Sequence, residues 1–168
     1  MAATRTITVL ASALCLFSLL GSTYGSDCFF VEGRVYCDTC RTQFVTRVSE
    51  YMPGARVKLE CRNREGGDLT YSLEGVTDES GMYSLPVDGD HSADICEVIL
   101  VKSSKPGCEE IGNGPFLRNS ARISLTSDNG MATPIREANP LGFLAKLPYS
   151  VCADVLRELG ITPQGLID

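Results

Sequence analysis

The chain has 168 residues, and its 21 acidic against 15 basic residues give a formal net charge of −6. That length suits one domain of ordinary size, and 21% charged residues with a mean hydropathy of +0.03 exclude a disordered chain. The acidic balance lacks the electrostatic footprint of a nucleic-acid binder, and it is a poor match for anionic membrane surfaces.

The first predicted element is a secretory signal peptide over residues 1–25. Arg5 is the only charge before Asp27. An apolar run over 7–20 fits the hydrophobic core of a signal peptide and is short for a membrane span. Thr23-Tyr24-Gly25 then offers small residues for cleavage after Gly25. The mature domain is therefore expected over 26–168, secreted to the extracellular space and free of membrane. Cleavage removes Arg5 and Cys15, taking the basic count from 15 to 14 against 21 acidic residues. The C-terminal tail after Thr162 is too short for a lipid-anchor signal.

Residues 29–37 alternate, with Val31, Gly33, Val35 and Cys37 on one face and Phe30, Glu32, Arg34 and Tyr36 on the other. Period two predicts a strand. A β-rich stretch over 42–51 ends at Met52-Pro53-Gly54. Ala55, Val57, Leu59 and Cys61 alternate with Arg56, Lys58, Glu60 and Arg62, predicting a strand over 55–62 with the apolar set inward. After a polar loop over 63–68, strands follow over 69–76 and 82–87, separated by the turn Thr77-Asp78-Glu79-Ser80-Gly81. The loop Asp88-Gly89-Asp90-His91-Ser92 leads to a strand over 95–101, expected to be central because it carries few charges. A seventh strand is predicted over 121–126. Residues 128–149 read as irregular. Ser150 is placed as the cap of a helix over 151–159, stopped by Gly160. The expected fold is all-β: a seven-stranded antiparallel β-barrel or sandwich with a short C-terminal helix.

Eight cysteines are the most informative letters, and seven survive signal cleavage: Cys28, Cys37, Cys40, Cys61, Cys96, Cys108 and Cys152. A secreted domain of this kind is expected to carry disulfides, whose pairing spacing alone leaves open. Cys37-Asp38-Thr39-Cys40 has the form of a thioredoxin-like redox pair, but that chemistry sits in a βαβ unit absent from this pattern. A zinc set of Cys37, Cys40, Cys96 and Cys108 lacks a second Cys-x-x-Cys and conflicts with an oxidising export route.

The stretch Phe30-Val31-Glu32-Gly33-Arg34-Val35-Tyr36-Cys37-Asp38-Thr39-Cys40-Arg41 resembles the opening signature of the plant Ole e I-like family, the pollen allergen and extensin family. Gly54-Ala55-Arg56-Val57 before Cys61, Thr77-Asp78 with Gly81-Met82-Tyr83, and Ile95-Cys96-Glu97-Val98 match it too. So do Arg122-Ile123-Ser124-Leu125-Thr126 and Ala138-Asn139-Pro140-Leu141-Gly142-Phe143. The likeness covers about residues 29–160. It implies bridges Cys37–Cys108, Cys40–Cys152 and Cys61–Cys96. It also implies a secreted, non-enzymatic protein of pollen, anther or growing tissue, with possible allergenicity. The implied partners are a cell-surface receptor ectodomain or a cell-wall component such as carbohydrate or extensin. Cys28 lies outside this pattern and is expected to be unpaired or to form an intermolecular bridge, giving a covalent dimer. No Asn-x-Ser/Thr sequon is present.

The residues offer little for catalysis, and no cofactor or metal is expected. His91, the single histidine, sits in a polar loop and reads as solvated. Adjacent Glu109 and Glu110 read as solvated loop carboxylates rather than a glycosidase pair. Neither Asp88-Gly89-Asp90 nor Asp78-Glu79-Ser80-Gly81 completes a calcium loop. Gly112-Asn113-Gly114-Pro115 lacks the strand-to-helix context of a phosphate loop. Phe29, Phe30 and Tyr36 could form a sugar-stacking platform, though packing is the expected use.

Overall fold

The computed structural model describes residues 28–113, 119–162 and 165–166. The signal-peptide segment 1–25 lies outside the described residues, as do Gly114 and Pro115. Eleven strands and one helix are present among the described residues. In chain order they are β1 (Cys28–Asp38), β2 (Glu50–Tyr51), β3 (Arg56–Asn63), β4 (Leu69–Val76), β5 (Met82–Asp88) and β6 (Asp94–Lys102). Then come β7 (Ser120–Ile123), β8 (Ile135–Glu137), β9 (Leu141–Leu144), α1 (Cys152–Glu158), β10 (Ile161–Thr162) and β11 (Gly165–Leu166).

Two sheets carry the domain. One is antiparallel, in the order β4-β3-β6-β7, and β6 is an inner strand as its apolar run implies. The other is built on β1, which pairs antiparallel with β2 and β5 and parallel with β8 and β9. Among the described residues no ladder joins the two sheets, so the barrel is corrected to two packed open sheets. The all-antiparallel, seven-stranded expectation is corrected with it. β1 is the inner strand of its sheet, paired along both sides, and the outer strands β2, β5, β8 and β9 form no ladder with β4 or β7 among the described residues. β2, β8 and β9 are two to four residues long. Elements that short carry too little periodicity to be read from sequence, which is why 128–149 read as irregular.

The inner faces meet in one core. Val57, Leu59 and Cys61 of β3 join Cys96, Val98 and Leu100 of β6, Leu85 and Val87 of β5, and Phe29, Val31 and Val35 of β1. In β3 the alternation reads out as expected. At the far end of β1 it fails: Val35, Tyr36, Cys37 and Asp38 are all buried, because chain packs on both faces there. Tyr36 lies over Gly142 of β9, where an added Cβ would fall 2.7 Å from the ring.

The strand expected over 42–51 shrinks to Glu50–Tyr51. Asp38 is the cause. Its buried carboxylate accepts the backbone N–H of Gln43 at 2.6 Å and the hydroxyl of Thr42 at 3.4 Å. Arg41 and Gln43 adopt left-handed φ of 59° and 65°. A short carboxylate bonding nearby backbone diverts the chain from extended structure. The helix also differs: Val151, not Ser150, occupies its N-cap position, and no side-chain cap bond forms. Gly160 ends it with φ of 70°.

Candidate functional site

Three disulfides set the layout. Cys37–Cys108 ties the end of β1 to the chain after β6, and Cys40–Cys152 ties the following loop to α1. Cys61–Cys96 spans β3 and β6, where the two residues are direct ladder partners. Cys37 and Cys40 therefore leave in different bridges rather than closing on each other. Cys28 is free and exposed at the head of β1.

The Cys40–Cys152 bridge lays segment 38–51 beside segment 144–158. Backbone bonds run from Ala145 N–H to the Asp38 carbonyl and from Tyr149 N–H to the Thr39 carbonyl, each 3.1 Å. Thr39 Oγ1 donates to the Val48 carbonyl at 2.9 Å, folding the loop on itself. Arg41 grips Glu110 through two bonds of 2.8 and 2.7 Å and also donates to the Ala145 carbonyl at 2.6 Å. The Glu110 bond raises the Arg41 pKa, and the guanidinium holds the Glu110 carboxyl below the usual range. Arg47 grips Glu158 of α1 in the same two-pronged way, at 2.8 and 2.9 Å. Tyr149 donates its hydroxyl to Glu50 at 3.2 Å. The Glu50 carboxyl is held low chiefly by Lys105. On this fixed frame Phe44, Val45, Tyr51, Leu147 and Tyr149 remain exposed. Apolar side chains on an ordered loop, held by a rigid scaffold, are suited to binding.

His91 is not solvated. Its side chain is 12% exposed, its ring packs against Tyr71 with centroids 5.0 Å apart, and its backbone N–H bonds the Leu125 carbonyl. The sequence reading failed because the polar loop folds back over the β3–β6 sheet and carries the ring inward. Nδ1 lies 3.1 Å from Asp94 Oδ2, which also accepts from Thr70 Oγ1 at 2.8 Å. The Thr70 bond, then the His91 bond, keeps the Asp94 carboxyl below its ordinary range. An ionised carboxylate only accepts, so the proton sits on Nδ1. Nε2 is buried and has no hydrogen-bond partner among the described residues. A ring nitrogen of His91 lies with the sulfurs of the Cys61–Cys96 bridge in a group whose atoms are all within 4.8 Å of one another. A cavity of about 510 Å³ opens beside them, lined by His91, Asp94, Cys96, Arg64, Arg122 and Thr126 among others.

The remaining sequence candidates separate. Glu110 is committed to Arg41 while Glu109 is exposed. Asp78 accepts the Ser80 N–H and hydroxyl, each at 2.8 Å, and the Met82 N–H at 3.0 Å, as a turn does. Asp90 accepts from Ser92 N–H at 2.6 Å and Thr126 Oγ1 at 3.1 Å. Phe29 and Tyr36 are buried while Phe30 is 40% exposed, so the three rings form no platform. One buried residue was missed. Arg136 of β8 is 2% exposed, with its guanidinium 4.7 Å above the Phe29 ring. It donates to the carbonyls of Thr126 at 3.0 Å, Ile135 at 3.3 Å and Thr133. A charged letter in a segment without periodicity reads as solvated, and nothing local signals otherwise.

The comparisons with known proteins agree with this layout. The profile described as "Pollen protein Ole e 1 like" matches residues 27–160. The chain is 60% identical over 163 residues to an "Olee1-like protein" of Betula pendula, covering 97% of this chain and 98% of that one. It is 46% identical over 156 residues to "Anther-specific protein LAT52" of Solanum lycopersicum, covering 92% and 95%. Among solved structures, the major plantain pollen allergen Pla l 1 superposes with a TM-score of 0.66 at 37% identity, covering 73% of this chain and 97% of that one. A profile spanning the folded domain and relatives of this identity leave one conclusion: the chain belongs to the Ole e 1-like family of pollen proteins.

Proposed function

We propose that this protein is a secreted, non-enzymatic plant protein that acts as a ligand or interaction partner in pollen-tube or cell growth. The observation that carries the reading is the cystine-anchored face, where Phe44, Val45 and Tyr149 stand exposed on an ordered frame. Relatives whose names place them in pollen and anther support it. Residues 1–25 have the charge, apolar length and small-residue flank of a signal peptide. Disulfides persist in the oxidising compartments that such a route reaches. The proposed partner is the ectodomain of a cell-surface receptor. Capture of pollen-tube receptor ectodomains should weaken at least tenfold in a Phe44→Asp/Tyr149→Asp double variant. A tenfold loss corresponds to about 1.4 kcal/mol, within what exposed aromatic anchors supply. Unfolding by urea should stay within about 0.5 kcal/mol of the parent, as for other surface changes. Undiminished capture by the double variant sinks the reading.

The acidic surface favours a second reading, a wall module that meets carbohydrate or basic extensin-type proteins. Binding on glycan arrays or to basic wall glycoproteins, without receptor capture, would select it.

The exposed Cys28 thiol lies outside the three bridges. An exposed thiol in an oxidising compartment seldom stays reduced, and we propose that a fraction of the protein is a Cys28–Cys28 dimer. A non-reducing gel should show a band of twice the monomer size, absent in Cys28→Ser. A monomeric parent with an unmodified Cys28 removes the dimer.

A further inference from the structure

We propose that a second copy of this chain docks on the free edge of β4, the two β4 strands pairing antiparallel about a two-fold axis at Leu73. The two four-stranded sheets then run on as one. β4 is the outermost strand of its sheet, and β3 is its one ladder partner among the described residues. Proteins blunt such edges with short strands, Pro, Lys or bulges. Most outer strands here show these devices: β2, β7, β8 and β9 are two to four residues long, and β5 carries Pro86. β4 runs for eight residues with neither Pro nor Lys. Its register irregularity lies between Cys61 and Arg62 of β3, opposite the start of β4, and leaves residues 71–76 regular. The single charge of β4, Glu74, is already paired with Arg56 of β3 at 2.8 Å. Val76 is 58% exposed.

The backbone of β4 sets which groups face the edge. Thr77 N–H bonds the Ala55 carbonyl at 2.9 Å, and this pair continues the Arg56–Val76 register. Bonded and non-bonded pairs alternate along an antiparallel ladder. Gly75, Leu73 and Tyr71 therefore bond β3, while Val76, Glu74 and Ser72 turn their N–H and C=O groups to the open edge. Side chains alternate with the same period. Tyr71 and Leu73 pack against the core, and Leu85 of β5 fills the space over Gly75. Ser72, Glu74 and Val76 are exposed on the other face.

Self-complementarity identifies the occupant. A two-fold axis through an antiparallel pair brings together only residues that share a face, so the ladder is centred on a residue of β4. Centred on Glu74, it sets two carboxylates directly opposite each other, which is destabilising. Centred on Ser72, it leaves Val76 beyond the ladder. Centred on Leu73, it sets Glu74 against the partner's Ser72, so the carboxylate meets a neutral hydroxyl and both residues offer their free backbone groups. Half-buried Leu73 then meets its own copy, and Val76 reaches the partner's Thr70, one β-branched side chain against another. No like charges face each other in this register. The ladder is too short for a permanent interface, so the dimer is a reversible one. It is independent of a Cys28 bridge, because Cys28 belongs to β1 in the other sheet.

Sedimentation of the secreted protein in a Cys28→Ser background provides the test, so that a covalent dimer and this one are told apart. The protein should pass from monomer to dimer as its concentration rises to about 1 mM, the range of weak reversible association. Ser72→Pro should fold, since Pro is tolerated where the strand N–H faces outward, and should stay monomeric. Charge at the same position reads the register. Ser72→Lys faces the partner's Glu74 twice in each dimer and should tighten association about 2–30-fold, and Ser72→Glu should weaken it by a similar factor. Amide exchange in the concentrated parent should slow at Ser72, Glu74 and Val76, while Leu73 and Gly75 are protected at every concentration. A parent that stays monomeric at about 1 mM overturns the proposal. So does a dimer that Ser72→Glu leaves unchanged or Ser72→Lys weakens, or one in which the three edge amides stay unprotected.

Discussion

Replacing both Cys40 and Cys152 by serine is expected to lower stability by about 2–5 kcal/mol, the usual cost of losing a native bridge from a small domain. The effect should be the largest among the three bridges, because the separation of 112 residues is the greatest. Chain-entropy arithmetic for a loop of that length gives about 5 kcal/mol as its upper end. That is a large part of the ~5–15 kcal/mol by which domains are stable. The loss should also be local. α1 has seven residues and buries only Cys152 and Val155, and isolated helices of that length do not hold together in water. What then remains among the described residues is the buried Val155 and the exposed Arg47–Glu158 pair. Amide exchange across α1 should therefore approach the unprotected rate in the double variant, while β3 and β6 stay protected. Urea unfolding and hydrogen exchange together decide this. A loss below 1 kcal/mol with α1 still protected would show that packing, not the bridge, holds the helix.

Arg136→Ala is expected to cost about 3 kcal/mol. The guanidinium is buried and satisfies the carbonyls of Thr126, Thr133 and Ile135. Removing it takes a charged donor from these part-buried carbonyls, and hydrogen bonds to charged groups contribute about 1.5–3 kcal/mol. The contact over the Phe29 ring goes too, and cation–π contacts contribute about 0.5–2 kcal/mol. Arg136→Met separates the parts, since it keeps the apolar stem and loses the donors; most of the penalty should remain. Arg136→Lys should recover little, because one ammonium cannot span acceptors set for a planar fork. The midpoint of urea unfolding should move with the slope unchanged. An Arg136→Met protein as stable as the parent would show that the carbonyls find other partners.

What could be read from the letters follows the length of each element. β3, β4, β5 and β6 run for seven to nine residues and were legible from their alternation or flanking turns. β8 and β9 are short, and their pairing with β1 is settled by contacts more than a hundred residues away in sequence. No local window holds that information. The loop after β1 misread for a different reason: Thr42, Phe44 and Val45 favour strands, but the Asp38 carboxylate overrides that preference with bonds to its neighbours. Of the candidate site, the cysteines were plain, while their pairing came from family likeness and not from spacing. His91 was visible and given the wrong surroundings, because a polar sequence around it says nothing about a fold-back onto β3 and β6.

The pairing of β1 with β8 and β9 also sets an order of events during synthesis. β1 is among the earliest segments of the domain to leave the ribosome, yet its parallel partners end at Leu144. At about 5–20 residues per second, roughly 5–20 s separate the emergence of the two. Through that interval one edge of β1 stands open, and Cys37 and Cys40 wait for Cys108 and Cys152 as the nearest thiols to each other. Topologies closed by such distant contacts fold slowly. Any bridge closed early between Cys37 and Cys40 has to be undone by thiol–disulfide exchange before the Cys37–Cys108 and Cys40–Cys152 pairs can form.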